Sequence, residues 1–411
     1  MKVEKPSRSP LGVIFLTVFI DLIGFGIIIP LSPYLARQFD ASPFQIGLLL
    51  SIYSIMQFLF SPFWGRLSDR IGRRPVILIS LLGGFAAYTL FAFSQTLTLL
   101  FIARALAGLF GGNISTAHAY IADVTKPEDR SKGMGLLGAA FGLGFIFGPL
   151  MGAGLGLIGE KIGSEPPFGL SFAALGAAAL CLLNFAFASV VLKESLPPER
   201  RSKKSGSRRD RLRELFSHLS RPVAGPLMIV FFLSGLAMAQ MEAMLFPFMA
   251  DHYGWDLKTS SYGFAYIGVL MVLTQGVIVR RWMPRIGERR TLAIGLGSFA
   301  LSLALIPLST PLAMLAVVMT VLAIGNGLMR PPNLGLISLA TPPESQGEAM
   351  GVTNSLASLG RIIGPVVGGL LYERISHGAP FFFAGALTAA ALGLALFETR
   401  KLQSRAASPR L

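Results

Sequence analysis

At 411 residues, with 53% hydrophobic and only 14% charged side chains, the chain is too apolar for a soluble domain, where about a quarter of residues are charged. Its net charge of +15 points to nucleic acid in a soluble protein, but to basic cytoplasmic loops in a polytopic membrane protein. The single cysteine, Cys181, excludes a disulfide framework and any cysteine-cluster metal centre, and its apolar neighbours mark it as a packing residue.

Apolar stretches of about 20 residues, the length that crosses a bilayer, recur along the chain. They fall near 11–35, 45–65, 75–94, 97–121, 133–158, 168–192, 223–250, 260–280, 291–309, 311–336, 347–372 and 379–398. The first is a retained helix: its apolar run outlasts a signal peptide and ends without a small-residue cleavage site. The fold class is therefore an all-α polytopic membrane protein of twelve transmembrane helices. Of the 36 Lys and Arg, 30 are assigned to the termini and even-numbered loops. Four (Arg37, Lys161, Lys258 and Arg374) go to odd-numbered loops, and Arg104 and Arg361 to spans. The positive-inside rule then places both termini and the even loops in the cytoplasm.

The longest polar connection, 193–221, holds ten Lys and Arg with Pro197-Pro198 and several serines. Its composition predicts disorder or a surface helix over 209–219, lying against anionic lipid headgroups. It divides the chain into an N-terminal bundle (1–192), a basic cytoplasmic linker (193–222) and a C-terminal bundle with a short tail (223–411). The two bundles repeat one another. At a constant offset of 216, Gly111 matches Gly327, Glu128 matches Glu344, Met134-Gly135 matches Met350-Gly351 and Gly148-Pro149 matches Gly364-Pro365. Two homologous six-helix bundles of like orientation follow, with the solute path expected between them.

Between spans two and three lies Gly65-Arg66-Leu67-Ser68-Asp69-Arg70-Ile71-Gly72-Arg73-Arg74-Pro75, which resembles the cytoplasmic loop signature of the major facilitator superfamily. A short loop needs glycine where the chain turns, an Asp able to cap a helix N-terminus, and arginines able to grip carboxylates. Gly65, Asp69, Arg70, Gly72, Arg73 and Arg74, with Asp123 closing span four, are assigned to a cytoplasmic latch. The second copy, 280–290, has Pro284 in place of Asp69, so the latch is expected to be asymmetric. In span five, Gly144, Gly148, Pro149 and Gly152 stand in a stretch resembling the antiporter motif of this superfamily, with Ala153 replacing its last glycine. Span eleven repeats it at Gly360, Gly364 and Pro365. Small residues four apart allow close helix approach and proline frees a backbone carbonyl, so both copies are expected to act as hinges.

The closest resemblance, over nearly the whole chain, is to the tetracycline-resistance efflux pumps and their drug:proton antiporter relatives. Asp21 with Pro30 and Pro33, 67–82, Ala119 to Thr125, 141–149 and 285–290 carry it. The resemblance implies proton-driven antiport. Tetracycline pumps have further acids in spans three and nine that meet drug and metal. Here 80–94 and 292–307 have none, which weakens tetracycline itself as substrate.

Asp21 and Glu242 are the carboxylates read as lying well inside the spans. Asp21, about 15 Å deep at 1.5 Å per residue, has the placement a proton carrier needs, because desolvation and a nearby cation pull its proton affinity in opposite directions. Arg104, in a stretch similar to the fourth-helix motif of the family, joins it as a coupling residue. Glu242 and Arg361 are expected to pair, since neither is left solitary cheaply in hydrocarbon. Tyr53, Gln57, Asn113, Gln240, Met241, Phe246 and Asn326 are candidate cavity residues, each open to a plain packing reading.

These features together point to an inner-membrane antiporter, monomeric, exporting a lipophilic cationic or zwitterionic compound against protons. A carrier of the same fold for a lipid or small metabolite is the alternative. No cofactor, metal or nucleic acid is expected. The four histidines lack ligand spacing, and neither a Gly-x-Ser-x-Gly nor a nucleotide-binding Gly-x-x-x-x-Gly-Lys sequence occurs, which argues against an enzyme or an ATP-driven pump.

Overall fold

The computed structural model describes residues 10–125, 130–201, 219–342 and 345–407. Among them, twelve helices are long and apolar enough to cross a membrane. They are α1 (Pro10–Gln38), α2 (Pro43–Ile71), α3 (Arg73–Ala92), α4 (Leu97–Val124), α5 (Arg130–Ile162) and α6 (Phe172–Val191). The second set is α7 (Ala224–Tyr253), α8 (Leu257–Ile286), α9 (Glu288–Leu305), α10 (Leu312–Leu339), α11 (Gln346–Arg374) and α12 (Ala379–Ala407). Each expected span lies on one of these helices, since helices satisfy their own backbone groups where no water can. Two helices depart from α geometry internally: α4 passes through a 3-10 turn at Gly111–Asn113 and α8 through a π-helical stretch at Thr274–Val279. The surface helix expected at 209–219 falls almost wholly outside the described residues.

The chain forms two compact units, and each takes in a short segment from the other half of the sequence. The first comprises Met1–Ala41, Ile52–Ser205 and Trp255–Ala265. Its core joins Ile14 and Leu22 of α1 to Leu81 of α3, Tyr120 of α4, Leu137 of α5 and Ala188 of α6. Buried alanines at 173, 174, 177 and 178 give α6 a slim inner face, and Asn184 donates to the Thr17 carbonyl at 2.8 Å to fix it on α1. Cys181, 1% exposed, packs in this layer as expected. The start of α8 is held by Tyr34 on α1, whose hydroxyl donates to the Trp255 carbonyl and lies 2.7 Å from the Ser260 hydroxyl.

The second unit comprises Ser42–Ser51, Gly206–Gly254 and Tyr266–Leu411. Gly295 and Gly325 let α9 and α10 cross closely: a Cβ on Gly325 would lie 2.7 Å from the Phe299 nitrogen. The start of α2 belongs here, through Ser51 donating to the Ile362 carbonyl at 2.7 Å and the Phe44 amide donating to Glu373 at 3.1 Å. Large side chains such as Leu183, Val190, Leu301 and Val317 are left exposed on helix faces, a surface suited to lipid rather than water.

One count from the sequence is corrected. Arg330 lies inside α10, as the span at 311–336 already implies, so the termini and even loops hold 29 basic residues and not 30. The bias against the odd loops is unchanged.

Candidate transport site

The signature at 65–75 is mostly helix. α2 runs through Ile71, and only Gly72 leaves the helical path, at φ +107°, before α3 begins at Arg73. That left-handed backbone favours glycine, and a Cβ there would also collide with the Glu194 carboxylate. Glu194, at the end of span six, provides the cap: it accepts from the Arg73 amide at 2.8 Å and the Arg74 amide at 3.2 Å. Asp69, expected to cap a helix, instead binds Arg73 Nη1 at 2.6 Å. The guanidinium of Arg73 also meets Ser68 at 2.6 Å and Asp123 at 3.1 Å, and the residue is 7% exposed. Arg74 donates to the Ser189 carbonyl at 2.6 Å, Gly65 accepts from Ser68, and Arg70 is exposed. The predicted acids and arginines thus meet within the first unit, locking α2, α3, α4 and the end of α6. Glu194 escaped the sequence reading; its only local signal is an acid at the edge of a basic linker.

Deeper in the same unit, Asp21 is half-buried beside a small cavity lined by Thr17, Ile77, Leu81, Ile114 and Ala117. Arg104 is 2% exposed, and its Nε and Nη1 have no hydrogen-bond partner among the described residues. Its guanidinium stands 4.8 Å from the centre of the Tyr53 ring. Tyr88 of α3 lies within electrostatic reach of both Asp21 and Arg104. Gln57 donates to the Gly111 carbonyl at 2.9 Å, tying α2 to the turn in α4. Tyr53 therefore covers Arg104, and Gln57 reaches the Tyr53 hydroxyl at 3.4 Å. The side chain of Asn113 lies outside the described residues.

In the second unit Glu242 of α7 faces two arginines. Arg361 of α11 acts on it most strongly and Arg330 of α10 next. The expected Glu242–Arg361 pair is thus an electrostatic coupling, shared with Arg330. Arg361 is exposed and donates to the Ser358 hydroxyl at 3.2 Å. Gln240 is fully buried, donating to the Pro380 carbonyl at 2.7 Å, and Met241 and Phe246 are core residues, 1% and 2% exposed. Asn326, 3% exposed, directs its amide nitrogen at the sulfurs of Met238 and Met271, 3.1 and 3.3 Å away.

The glycines of the antiporter-like stretches form two matching seams. On α5, a Cβ at Gly144 would lie 2.8 Å from the Cβ of Leu22, and one at Gly148 would lie 2.6 Å from the Cα of Gly26. Gly152 is looser, at 3.4 Å from Ile27. On α11, Gly360 and Gly364 press on α7: a Cβ at Gly364 would lie 2.8 Å from the Leu236 carbonyl. Pro149 and Pro365 sit within these helices next to Gly148 and Gly364. Each seam therefore abuts the helix that carries its unit's half-buried carboxylate, Asp21 on α1 and Glu242 on α7.

A family profile described as Major Facilitator Superfamily matches residues 14–286 and 275–410. The class E tetracycline resistance protein of Escherichia coli is 34% identical over 365 residues, covering 87% of this chain and 86% of its own length. Multidrug resistance protein 1 of Bacillus subtilis is 30% identical over 394 residues, 94% of this chain and 95% of that protein. Among solved structures, the human organic anion transporter MFSD10 (TETRAN) superposes with a TM-score of 0.71 at 27% identity, covering 95% of this chain and all of that one. The nucleoside transporter NupG shares the fold, with a TM-score of 0.77 at 14% identity over 95% of this chain and 99% of its own.

Proposed function

The chain belongs to the major facilitator superfamily, and on that premise we propose that it is a proton-coupled antiporter exporting lipophilic, drug-like compounds by alternating access. The observation that carries this reading is the charge set of the first unit: a guanidinium 2% exposed, with two nitrogens lacking hydrogen-bond partners among the described residues, near Tyr88 and through it Asp21. A charge so poorly compensated costs several kcal/mol, and a carrier keeps it where a change of protonation or an incoming ligand completes it during the cycle. Asp21 exchanges the proton, Arg104 biases that exchange, and Glu242 with Arg361 serves the second unit. The Asp69–Arg73–Asp123 network steadies the even-loop side, and the glycine seams give α5 and α11 tight, jointed contacts.

The absence of further acids on α3 over 80–94 and on α9 over 292–307 favours lipophilic drugs over a metal-bound tetracycline. The transporter is a monomer in the inner membrane, in contact with lipid, with both termini cytoplasmic, as the 29 basic residues on that side against four on the other favour. Its energy comes from the proton gradient, with no cofactor and no chemical step on the substrate. In everted vesicles acidified by respiration, adding a transported drug is expected to raise the internal pH only when the protein is present. An unchanged internal pH across a broad panel of lipophilic drugs would contradict antiport.

A further inference from the structure

The second copy of the 65–75 signature, at 280–290, keeps the arginines and loses the acids that answer them. Pro284 stands where the first copy has Asp69, and Glu288 where it has Arg73, so the Asp69–Arg73 pair cannot be repeated there. Gly287 repeats the left-handed turn of Gly72, at φ +83° against +107°. A Cβ at Gly72 would strike the Glu194 carboxylate, whereas one at Gly287 would meet nothing within 4 Å among the described residues. Glu288, the one acid of the stretch, packs its Oε1 against Gly335 of α10. Among the described residues Arg280, Arg281, Arg285, Arg289 and Arg290 make no ion pair and no side-chain hydrogen bond.

These cations end an exposed apolar strip. Leu273 and Val277, each about half exposed, and the exposed Arg281 and Arg285 recur at every fourth residue, which sets them along one side of α8. None of the residues Arg280–Ile286 is buried. From Leu273 to Arg285 the helix rises about 18 Å at 1.5 Å per residue, enough to pass from hydrocarbon to headgroup level within one leaflet. Trp282, 55% exposed, adds the amphipathic ring that favours this boundary. A loop that only fixes orientation needs basic charge and nothing more. Here two guanidiniums continue an apolar strip with the length and polarity of a single phospholipid.

We propose that Arg281 and Arg285 hold the phosphate of an anionic glycerophospholipid, its acyl chain lying along Leu273 and Val277 and its glycerol beside Trp282. The planar guanidinium matches a phosphodiester through paired N–H donors. Arg280, Arg289 and Arg290 add a positive field that favours a net anionic lipid over a zwitterionic one, whose headgroup ammonium brings a cation to the same place. The lipid thereby provides the negative charge that Asp69 provides in the first copy. This assignment is independent of the transported compound and of proton coupling.

The test is tryptophan quenching in the full-length protein, reconstituted into phosphatidylcholine vesicles with a minor fraction of lipid brominated near the top of its acyl chain. The brominated lipid is phosphatidylglycerol in one series and phosphatidylcholine in the other. The Trp282 signal is isolated as the difference between wild type and Trp282→Phe, a change at an exposed position. Phosphatidylglycerol is expected to occupy the site at least about fivefold more than phosphatidylcholine at equal mole fraction, the factor that one arginine near an anionic headgroup gives. Joint Arg281→Gln and Arg285→Gln should bring that ratio below about twofold, whereas Arg374→Gln, at the end of α11, leaves it unchanged. Equal quenching by the two lipids in the wild type would overturn the proposal, and so would a preference that persists in the double variant. Soluble glycerol 3-phosphate at millimolar concentration should leave the lipid in place. Displacement by it would assign the arginines to a soluble phosphate compound and overturn the lipid site. The wild-type comparison decides even if the double variant fails to fold.

Discussion

Arg73 shows how one buried side chain integrates four helices. It reaches Ser68, Asp69 and Asp123 while its amide is capped by Glu194, so truncation takes the guanidinium partner from two carboxylates, although Asp123 keeps the Ser195 hydroxyl and Ser68 the Gly65 carbonyl. Arg73→Ala is expected to cost about 1–3 kcal/mol, seen as a lower melting temperature, whereas exposed Arg70→Ala stays within about 0.5. Substrate binding in detergent should survive Arg73→Ala while cycling slows. Binding lost with turnover intact would contradict the latch. For Glu242 and Arg361, the through-space geometry predicts measurable but partial coupling: Glu242→Gln with Arg361→Gln should lose less transport than the single losses combined. Strictly additive losses would mean that the two act separately. These side chains were visible in the sequence as charges in apolar runs. Arg330 stands in such a run too, within the span at 311–336. Glu194 was missed: its partners lie about 120 residues away, and no local pattern announces a cap made across that distance.

At the level of elements, the glycines of α5 divide into those against backbone and those against side chains. Gly148→Ala would drive a methyl toward the backbone of Gly26, and separating α1 from α5 by that amount costs about 1–3 kcal/mol. Gly152→Ala meets Ile27 at an ordinary contact distance and should be near neutral in both melting temperature and transport. Equal effects would show that the seam is not the tight contact described. Helix existence and order were legible throughout, since a run of some 20 apolar residues carries its own signal. The internal irregularities were not. The π-helical stretch at Thr274–Val279 and the 3-10 turn at Gly111–Asn113 change hydrogen-bond register without changing hydrophobicity. The 65–75 signature was read as a loop because its charges obscure a helix that ends only at Gly72.

For the whole molecule, the repeat that the sequence displays as a constant offset reappears as equivalent packing. A glycine seam joins α5 to α1 in one unit and α11 to α7 in the other, each against a helix that carries a half-buried carboxylate. The charges on those helices differ, and this is where the two halves have specialised: Asp21 with a fully enclosed arginine in the first, Glu242 with two accessible arginines in the second. The central claim, that Asp21 carries the exchanged proton, is tested most directly in proteoliposomes holding wild type or Asp21→Asn. Two fluxes are measured: substrate driven by an imposed pH gradient, and substrate exchanging for substrate with no gradient. Asp21→Asn should keep the exchange flux and lose the gradient-driven one, since the amide retains the shape of the carboxyl and cannot bind its proton. Gradient-driven transport by Asp21→Asn at the wild-type rate would contradict the account.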